Sequence, residues 1–529
     1  MFLKAIISFI FLVGALSAAE KPYWVFLEKD PTSATVQLTP RAEQRVLQRG
    51  SGEAPGNEAV SEAQLAQLRN AGYHIRHASR FLNAVSVSIE NERQLTQLQN
   101  FSFIKATTPV AHRPMNLDES ISPTPSLERS ASDTYGHALG QNQMLNIPAI
   151  HDLGYTGSGV LVGVFDTGFL TDHEAFDELD IQAQYDFIDH EVDASGLGHE
   201  HGSNVLSVLG GYSPGDLIGP AYKASFLLAR TEDSANEFRS EEDNWVAALE
   251  WADSLGVDVI NSSLTYFDEF DDPSENYPAS ALDGQTTIVA RAANIAAARG
   301  ILVVNSAGNE GPGVSSLWPP ADSPHVLAVG SVNAWEEFSL FSGQGPTYDG
   351  RIKPDVVAQG SGVYMAKVVS GYKYGNGTSF STPLIAGLAA LLLQARPYLK
   401  PDSIISIFHS FGNNSATPDN RVGWGIPQLA SLFPEMKNTH TKNCLVYPNP
   451  GQAGDIRMVL TDPVTDLSDQ ATLYDIRGRE IAKFQLTQES RRVIKVTIPS
   501  SLYLGNQVVI LSVKSNGKVY AGKFVFLKR

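Results

Sequence analysis

Four segments of this 529-residue chain each set a chemically capable side chain among small neighbours. VLVGVF runs into Asp166-Thr167-Gly168, and GHEHGSNVLSVLGG carries His201 directly before Gly202. ILVVNSAG, ending at Gly308, runs into Asn309-Glu310-Gly311, and GNGTSFSTP places Ser379 at the mouth of LIAGLAALLLQA. Together these types can perform acyl transfer. A serine hydroxyl is a weak nucleophile until a base takes its proton, and histidine has the pKa for that base. A buried carboxylate fixes the imidazole tautomer and stabilises the imidazolium. An asparagine amide can donate to a developing oxyanion, an effect worth about 10²–10³ in rate. A helix opening at Ser379 adds oriented amides beside the same oxygen. The order Asp, His, Ser is one of the known chain orders for such a triad.

These residues need elements to hold them. The stretch after Ser379 is apolar on every face, so it belongs in a core. A serine at its start is therefore held rigidly, and Pro383 is expected in the first turn, where a missing N–H costs little. From 135 to 435, apolar runs alternate with helical stretches. The runs are VLVGVF, ASFLLA, VDVINSSL, ILVVNSAG and HVLAVGSV, and the helices fall near 200–210, 241–254 and 285–299. Near-continuous Val/Ile/Leu runs predict strands buried on both faces. The expected fold is α/β, a doubly wound and mostly parallel sheet with helices on each side. Such sheets gather their sites at the carboxyl ends of the strands, where Asp166 and Asn309 fall.

The flanking segments differ. Residues 20–113 read as a small α+β unit, with YWVFL and the alternating AVSVSIE as strands and SEAQLAQLRNAG and ERQLTQLQN as helices. A Pro/Ser/Thr-rich linker spans 114–134 and a second linker 436–446. Residues 447–529 carry short alternating strands and turn signals such as SNGK, which predict an all-β sandwich. A length of 529 residues suits several such parts, at roughly 150 residues per domain.

Composition limits the partners. The net charge of −18 argues against nucleic acid, whose phosphates need a basic surface. Residues 231–280 hold 14 acidic side chains and one basic, Arg239. That stretch reads first as a solvated surface, with a cation site or a preference for basic substrates as alternatives. The one cysteine, Cys444, cannot form an internal disulfide and has no paired base nearby. At the start, MFLK, the 12-residue apolar run AIISFIFLVGAL and then SAAE form a secretory signal-peptide pattern over 1–19. The run is short for a membrane span, so the expectation is export to the medium or cell surface, with no transmembrane segment.

VFDTGF, HEHGSNV, NSAGNEGPG and GNGTSFSTP, in this order over about 300 residues, resemble the four motif regions of the subtilisin-like serine peptidases. The resemblance implies a secreted serine endopeptidase that hydrolyses peptide bonds in protein or peptide substrates through an acyl-enzyme. It assigns Asp166 as the orienting carboxylate, His201 as the base, Ser379 as the nucleophile and Asn309 as the oxyanion donor. It places Ser263, Leu264, Thr265 and Gly308 along the substrate cleft. It also implies that residues 20–113 are a propeptide that inhibits the enzyme and assists its folding. No cofactor is implied for the chemistry, while structural calcium is a family habit; the Asp-rich segments lack an EF-hand pattern. VYPNPGQAGDIRMVL, LYDIRGREIAKF and GKVYAGKFVFLKR look like the C-terminal sorting domain of the Bacteroidetes type IX secretion system, which implies that machinery as a partner. The alternative is a retained sandwich that binds surface or sugar.

There are departures from the pattern. The common His-Gly-Thr-His is His201-Gly202-Ser203-Asn204 here, and the common Ser-Leu-Gly is Ser263-Leu264-Thr265. Thr265 sets a side chain beside the groove, and the acidic FDEFDDPSENYP follows at once. His199 is a decoy two residues before His201. Asp172 and His173 read as turn formers, and Glu310 as a cleft-lining residue. The competing functional class is a catalytically inactive binding or adhesive protein on a peptidase fold.

Overall fold

The structure is a computed structural model. It describes residues 21–51, 55–110, 134–195, 200–232, 241–267, 276–368 and 370–433. Beyond these it describes 441–443, 445–447, 454–460, 470–475, 480–488, 493–499, 502, 507–515 and 518–526. The signal-peptide pattern, nearly all of the 114–134 linker, His199, Cys444, Pro448–Pro450 of the YPNP run and residues 268–275 of the acidic insertion lie outside the described residues. The chain divides into two compact units between Pro434 and Glu435.

The first unit opens with β1 (Lys21–Leu27), α1 (Pro40–Arg49), α2 (Glu62–Asn70), β2 (His74–Ser79), β3 (Ala84–Ile89), α3 (Glu92–Leu98) and β4 (Ile104–Pro109). The strands form an antiparallel sheet in the order β2-β3-β1-β4. Alternation along β1 and β3 decides what each face meets. Val25, Leu27, Val85 and Val87 pack on Leu65, Leu68 and Leu98 of the domain's own helices. Trp24 and Ala84 face the other way, into the core of the following domain. Helix α1 is absent from the sequence reading, yet it carried a signal. Thr39 caps it, accepting from the Ala42 amide at 3.3 Å, and Pro40 follows at its first position.

The next segment supplies α4 (Leu139–Met144), α5 (Ile147–Asp152), β5 (Leu161–Asp166), β6 (Asp180–Asp186), α6 (His201–Gly210), β7 (Tyr212–Ser213) and β8 (Leu217–Ile218). It continues with β9 (Ser225–Arg230), α7 (Glu241–Leu255), β10 (Val259–Ser262), α8 (Ile288–Ala298), β11 (Leu302–Ser306) and β12 (Val326–Val332). It ends with β13 (Val356–Gln359), β14 (Ser361–Ala366), β15 (Tyr372–Asn376), α9 (Thr378–Ala395) and α10 (Pro401–Ser410). Seven parallel strands form one sheet in the order β13-β12-β11-β10-β5-β9-β6. Both faces are covered. Val162, Val164, Val259 and Val304 pack under α6 and α9, and Phe165, Ile260 and Val303 under α7 and α8. This is the doubly wound arrangement that the continuous apolar runs predict. α9 is the one described helix long and apolar enough to cross a membrane, and it is buried inside the domain.

The N-terminal sheet lies on α7, and ion pairs lock the contact. Asp253, fully buried on α7, is ion-paired with Arg45 of α1, with Arg80 at 2.6 Å and with Arg299 at 2.9 Å. Arg45 also donates to the Val257 carbonyl at 2.9 Å, and burial holds its pKa down to about 10. Glu250, one helical repeat away, accepts from the Arg80 and Phe81 amides at 3.0 and 3.1 Å.

The second unit contains β16 (Thr441–Asn443), β17 (Leu445–Tyr447), β18 (Gly454–Val459), β19 (Gln470–Asp475), β20 (Glu480–Gln488), β21 (Val493–Ile498), β22 (Gln507–Ser515) and β23 (Lys518–Phe526). Hydrogen bonding runs β16-β23-β22-β19-β20-β21-β18-β17. β20 serves two partners, since its first part pairs with β19 and its last part, Leu486–Gln488, with β21. The strands so joined enclose Ile456, Met458, Leu473, Val496, Val509 and Leu511.

Candidate active site

The sheet's carboxyl edge collects the four residues singled out above. Asp166 is the last residue of β5 and His201 the first of α6. Asn309 lies three residues beyond β11, and Ser379 is the second residue of α9. β5 and β11 flank β10, so the loops that leave them open onto a common edge.

Asp166 is fully buried and its Oδ1 lies 2.7 Å from His201 Nδ1. The same oxygen accepts from the Thr167 amide at 2.8 Å and the Thr167 hydroxyl at 3.3 Å. Three donors fix one carboxylate oxygen, and a carboxylate facing Nδ1 places the imidazole proton there. Nε2 is left as the basic nitrogen. Glycine after His201 is a steric need. A Cβ on Gly202 would stand 2.3 Å from the Gly168 carbonyl oxygen and 3.0 Å from Asp166 Cβ. Of the departures in this helix, Ser203 keeps a task, accepting from the Leu170 amide at 2.7 Å. Asn204 is fully buried, and its side-chain amide finds no partner among the described residues.

Ser379 follows Thr378 at the head of α9, and the ring of its neighbour Phe380 lies 5.7 Å from the His201 imidazole. This contact sets the head of α9 against the Asp166–His201 pair. Pro383 is not in the first turn as the sequence suggests. α9 begins at Thr378, so Pro383 sits one turn in. There its missing N–H leaves the Ser379 carbonyl without a helical partner. The Ser263 hydroxyl replaces it, donating to that carbonyl at 3.0 Å. Ser263, read from sequence as a cleft residue, thus also anchors the helix of Ser379.

Asn309 is exposed, but its side chain is fixed. Its Oδ1 accepts from the Thr378 amide at 3.0 Å and the Thr378 hydroxyl at 2.9 Å. With the oxygen so used, Nδ2 is the end left to donate. Thr378 reaches on to the Gly308 carbonyl at 3.1 Å. Gly308 has φ +90°, and a Cβ there would meet Glu310 Oε2 at 2.4 Å and come within 3.8 Å of Thr265 Cγ2. The segments at 263–265 and 308–310 are therefore neighbours. Leu264 is buried, and its carbonyl accepts from Asn305 Nδ2 at 2.8 Å. Thr378 is the residue sequence reasoning missed, although its motif was in view.

Behind the dyad lies an acidic group the sequence analysis did not separate from its surroundings. Thr231, which follows β9, donates its amide to the Asp166 carbonyl at 2.9 Å. The next residue, Glu232, is buried and accepts from the Tyr266 hydroxyl at 2.6 Å. Burial raises the Glu232 carboxyl pKa, and the Asp166 charge adds to the shift. Among the described residues no cluster of three or more His, Cys, Asp or Glu side chains could hold a metal.

Comparison with known proteins bears on the family and the fold. The Subtilase family profile matches residues 157–425. The profile of a peptidase S8 propeptide domain of Bacteroidota matches 22–126. Subtilisin E of Bacillus subtilis (strain 168) is 30% identical over 284 residues, covering 52% of this chain and 67% of that protein. Subtilisin of Bacillus pumilus is 30% identical over 259 residues, covering 48% of this chain and 83% of that one. Among solved structures, fervidolysin from Fervidobacterium pennivorans aligns over 94% of this chain and 72% of its own, with TM-score 0.56 and 16% identity. That last likeness is one of fold.

Proposed function

The chain belongs to the subtilase family, and from that premise we propose that it is a secreted serine endopeptidase using Asp166, His201 and Ser379. The observation that carries this reading is the buried Asp166–His201 contact of 2.7 Å beside a helix whose second residue is Ser379. In the proposed reaction His201 Nε2 takes the Ser379 hydroxyl proton as Oγ attacks the peptide carbonyl carbon. The carbonyl oxygen becomes an oxyanion facing Asn309 Nδ2 and the amides at the head of α9. The imidazolium, held by Asp166, gives its proton to the leaving amine nitrogen as the C–N bond breaks. Water then attacks the acyl-serine ester through the same base and releases the acid.

Ser263, Leu264, Thr265 and Gly308 line the cleft in this reading, with protein or peptide as substrate. The N-terminal domain, matched by a propeptide profile, acts as an intramolecular inhibitor until it is removed. The signal-peptide pattern at the start of the chain supports export through the periplasm to the medium or cell surface. The C-terminal all-β unit supports delivery by a type IX secretion machinery.

The test is intact mass and casein hydrolysis for wild type and Ser379→Ala, with an organophosphonate label on each. The expected result is that wild type loses its N-terminal segment, labels at Ser379 and cleaves casein, while the variant stays full-length, unlabelled and inert. Identical behaviour of the two proteins would favour an inactive binding or adhesive protein on a peptidase fold.

A further inference from the structure

Glu200 stands one residue before His201, at the N-cap of α6, yet its carboxylate does not cap that helix. It reaches the β14–β15 hairpin instead. Oε2 accepts from the Val368 amide at 3.2 Å, and Oε1 is ion-paired with the Lys373 ammonium. Lys373 lies on β15, which ends at Asn376, three residues before Ser379. Two more bonds fasten the hairpin to the His201 side of the site. The Ala366 amide donates to Ser207 Oγ of α6 at 3.0 Å. His173 Nδ1 accepts from the Ala175 amide at 3.1 Å, so Nε2 carries the proton that is donated to the Gly371 carbonyl at 2.7 Å. At the other end of the hairpin, Asn376 Oδ1 accepts from the Gly362 amide at 2.8 Å.

The helix that presents the base and the strand that delivers the nucleophile are thus tied directly, outside the sheet. The side chains of Lys373 and Glu200 are 14% and 28% exposed, so the pair is shielded from most of the screening that weakens surface pairs. We propose that Glu200 and Lys373 are positioning residues that set the approach of Ser379 to His201. The inference rests on the serine-peptidase reading. The reason for a rate effect is geometric, because attack needs reacting atoms held to within a fraction of an ångström.

The experiment measures the rate of organophosphonate labelling per labelled molecule, with kcat and KM on a peptide substrate and the melting temperature. It compares wild type, Glu200→Gln, Lys373→Met and the exchanged pair Glu200→Lys/Lys373→Glu, each as the full chain. Both single variants should label about 10-fold more slowly and lose kcat to a similar degree, with KM within about twofold, as displacement of a reacting group predicts. The exchanged pair should regain most of the wild-type rate. A purely structural role would lower the melting temperature or the labelled fraction and leave the rate per labelled molecule untouched. Wild-type labelling rates in both single variants, or an exchanged pair as slow as they are, would overturn the proposal. Failure of wild type to label would instead sink the serine-peptidase reading on which it stands.

Discussion

The Ser263 hydroxyl donates to the Ser379 carbonyl at 3.0 Å, the carbonyl that Pro383 leaves without an N–H four residues on. A proline inside a helix removes a hydrogen bond, and here a side chain from the loop after β10 restores it. The position of Ser379 thus depends on β10 as well as on its own helix. Ser263→Ala should leave a buried acceptor unsatisfied, at about 1–3 kcal/mol, and lower the melting temperature and kcat together. Ser263→Ala/Pro383→Ala returns an N–H to that carbonyl and should recover much of the lost stability. A double variant no more stable than Ser263→Ala would show that the bond is not the cause.

Thr378 holds Asn309 by two hydrogen bonds to Oδ1. Asn309→Ala is expected to reduce kcat by about 10²–10³ with little change in KM, since its amide donates to charge present only in the transition state. Thr378→Val keeps the backbone amide bond and loses the hydroxyl one, so its loss should be smaller. Steady-state kinetics on one peptide substrate decide both points, and a KM effect in place of the kcat effect would remove Asn309 from its proposed role.

The N-terminal domain is docked by buried charge. Arg45 sits against Asp253 with Arg80 and Arg299 close by. Removing one member of a buried pair costs up to about 3–5 kcal/mol. Arg45→Met in a Ser379→Ala background, where the domain is expected to stay attached, should loosen that docking. Limited proteolysis should then cut the domain faster and the first thermal transition should fall. In a Ser379-competent chain the matured enzyme, having shed residue 45, should show unchanged kcat. An unchanged melt would mean that apolar contacts around Trp24 suffice.

Asp322 is fully buried, accepts one amide bond from Gly284 at 2.7 Å, and burial pushes its pKa from 3.8 up to about 6. Below pH 3.8 the carboxyl is protonated whether the chain is folded or not, so nothing is lost. As pH rises to about 6 the unfolded chain ionises while the folded one resists, and stability falls. Above that both forms are ionised and the slope ends. Asp322→Asn should abolish this limb. The difference in melting temperature between variant and wild type should therefore grow from about pH 4 to 6 and then level off. A difference that stays flat across the window would place the carboxyl's titration elsewhere.

Much of the fold was legible because burial on both faces writes itself into composition. VLVGVF and the ILVV of ILVVNSAG carry no polar side chain, which fits a covered parallel strand, and the nearly all-apolar LIAGLAALLLQA after Ser379 fits a core helix. Helix α1 is not legible in the sequence because its polar exterior, PRAEQRVLQR, docks through arginines, and no apolar period marks a helix held that way. Pro383 lies a turn deeper than the sequence suggests, since the start of α9 at Thr378 depends on Gly377 and the strand before it. The type and chain order of Asp166, His201, Asn309 and Ser379 could be read directly.

The sequence by itself determined the residue types, their order and the apolar strands that run into Asp166 and Asn309, because unbroken apolar runs mark strands buried on both faces. It also fixed the likeness to the subtilase motifs. The tertiary structure alone decided what those residues lean on. Thr378 on Asn309, Ser263 on the Ser379 carbonyl, Glu200 on Lys373 and Arg45 on Asp253 join segments from 69 to 208 residues apart. The partners of such polar side chains are chosen by geometry once the chain has folded, and no local period records that choice.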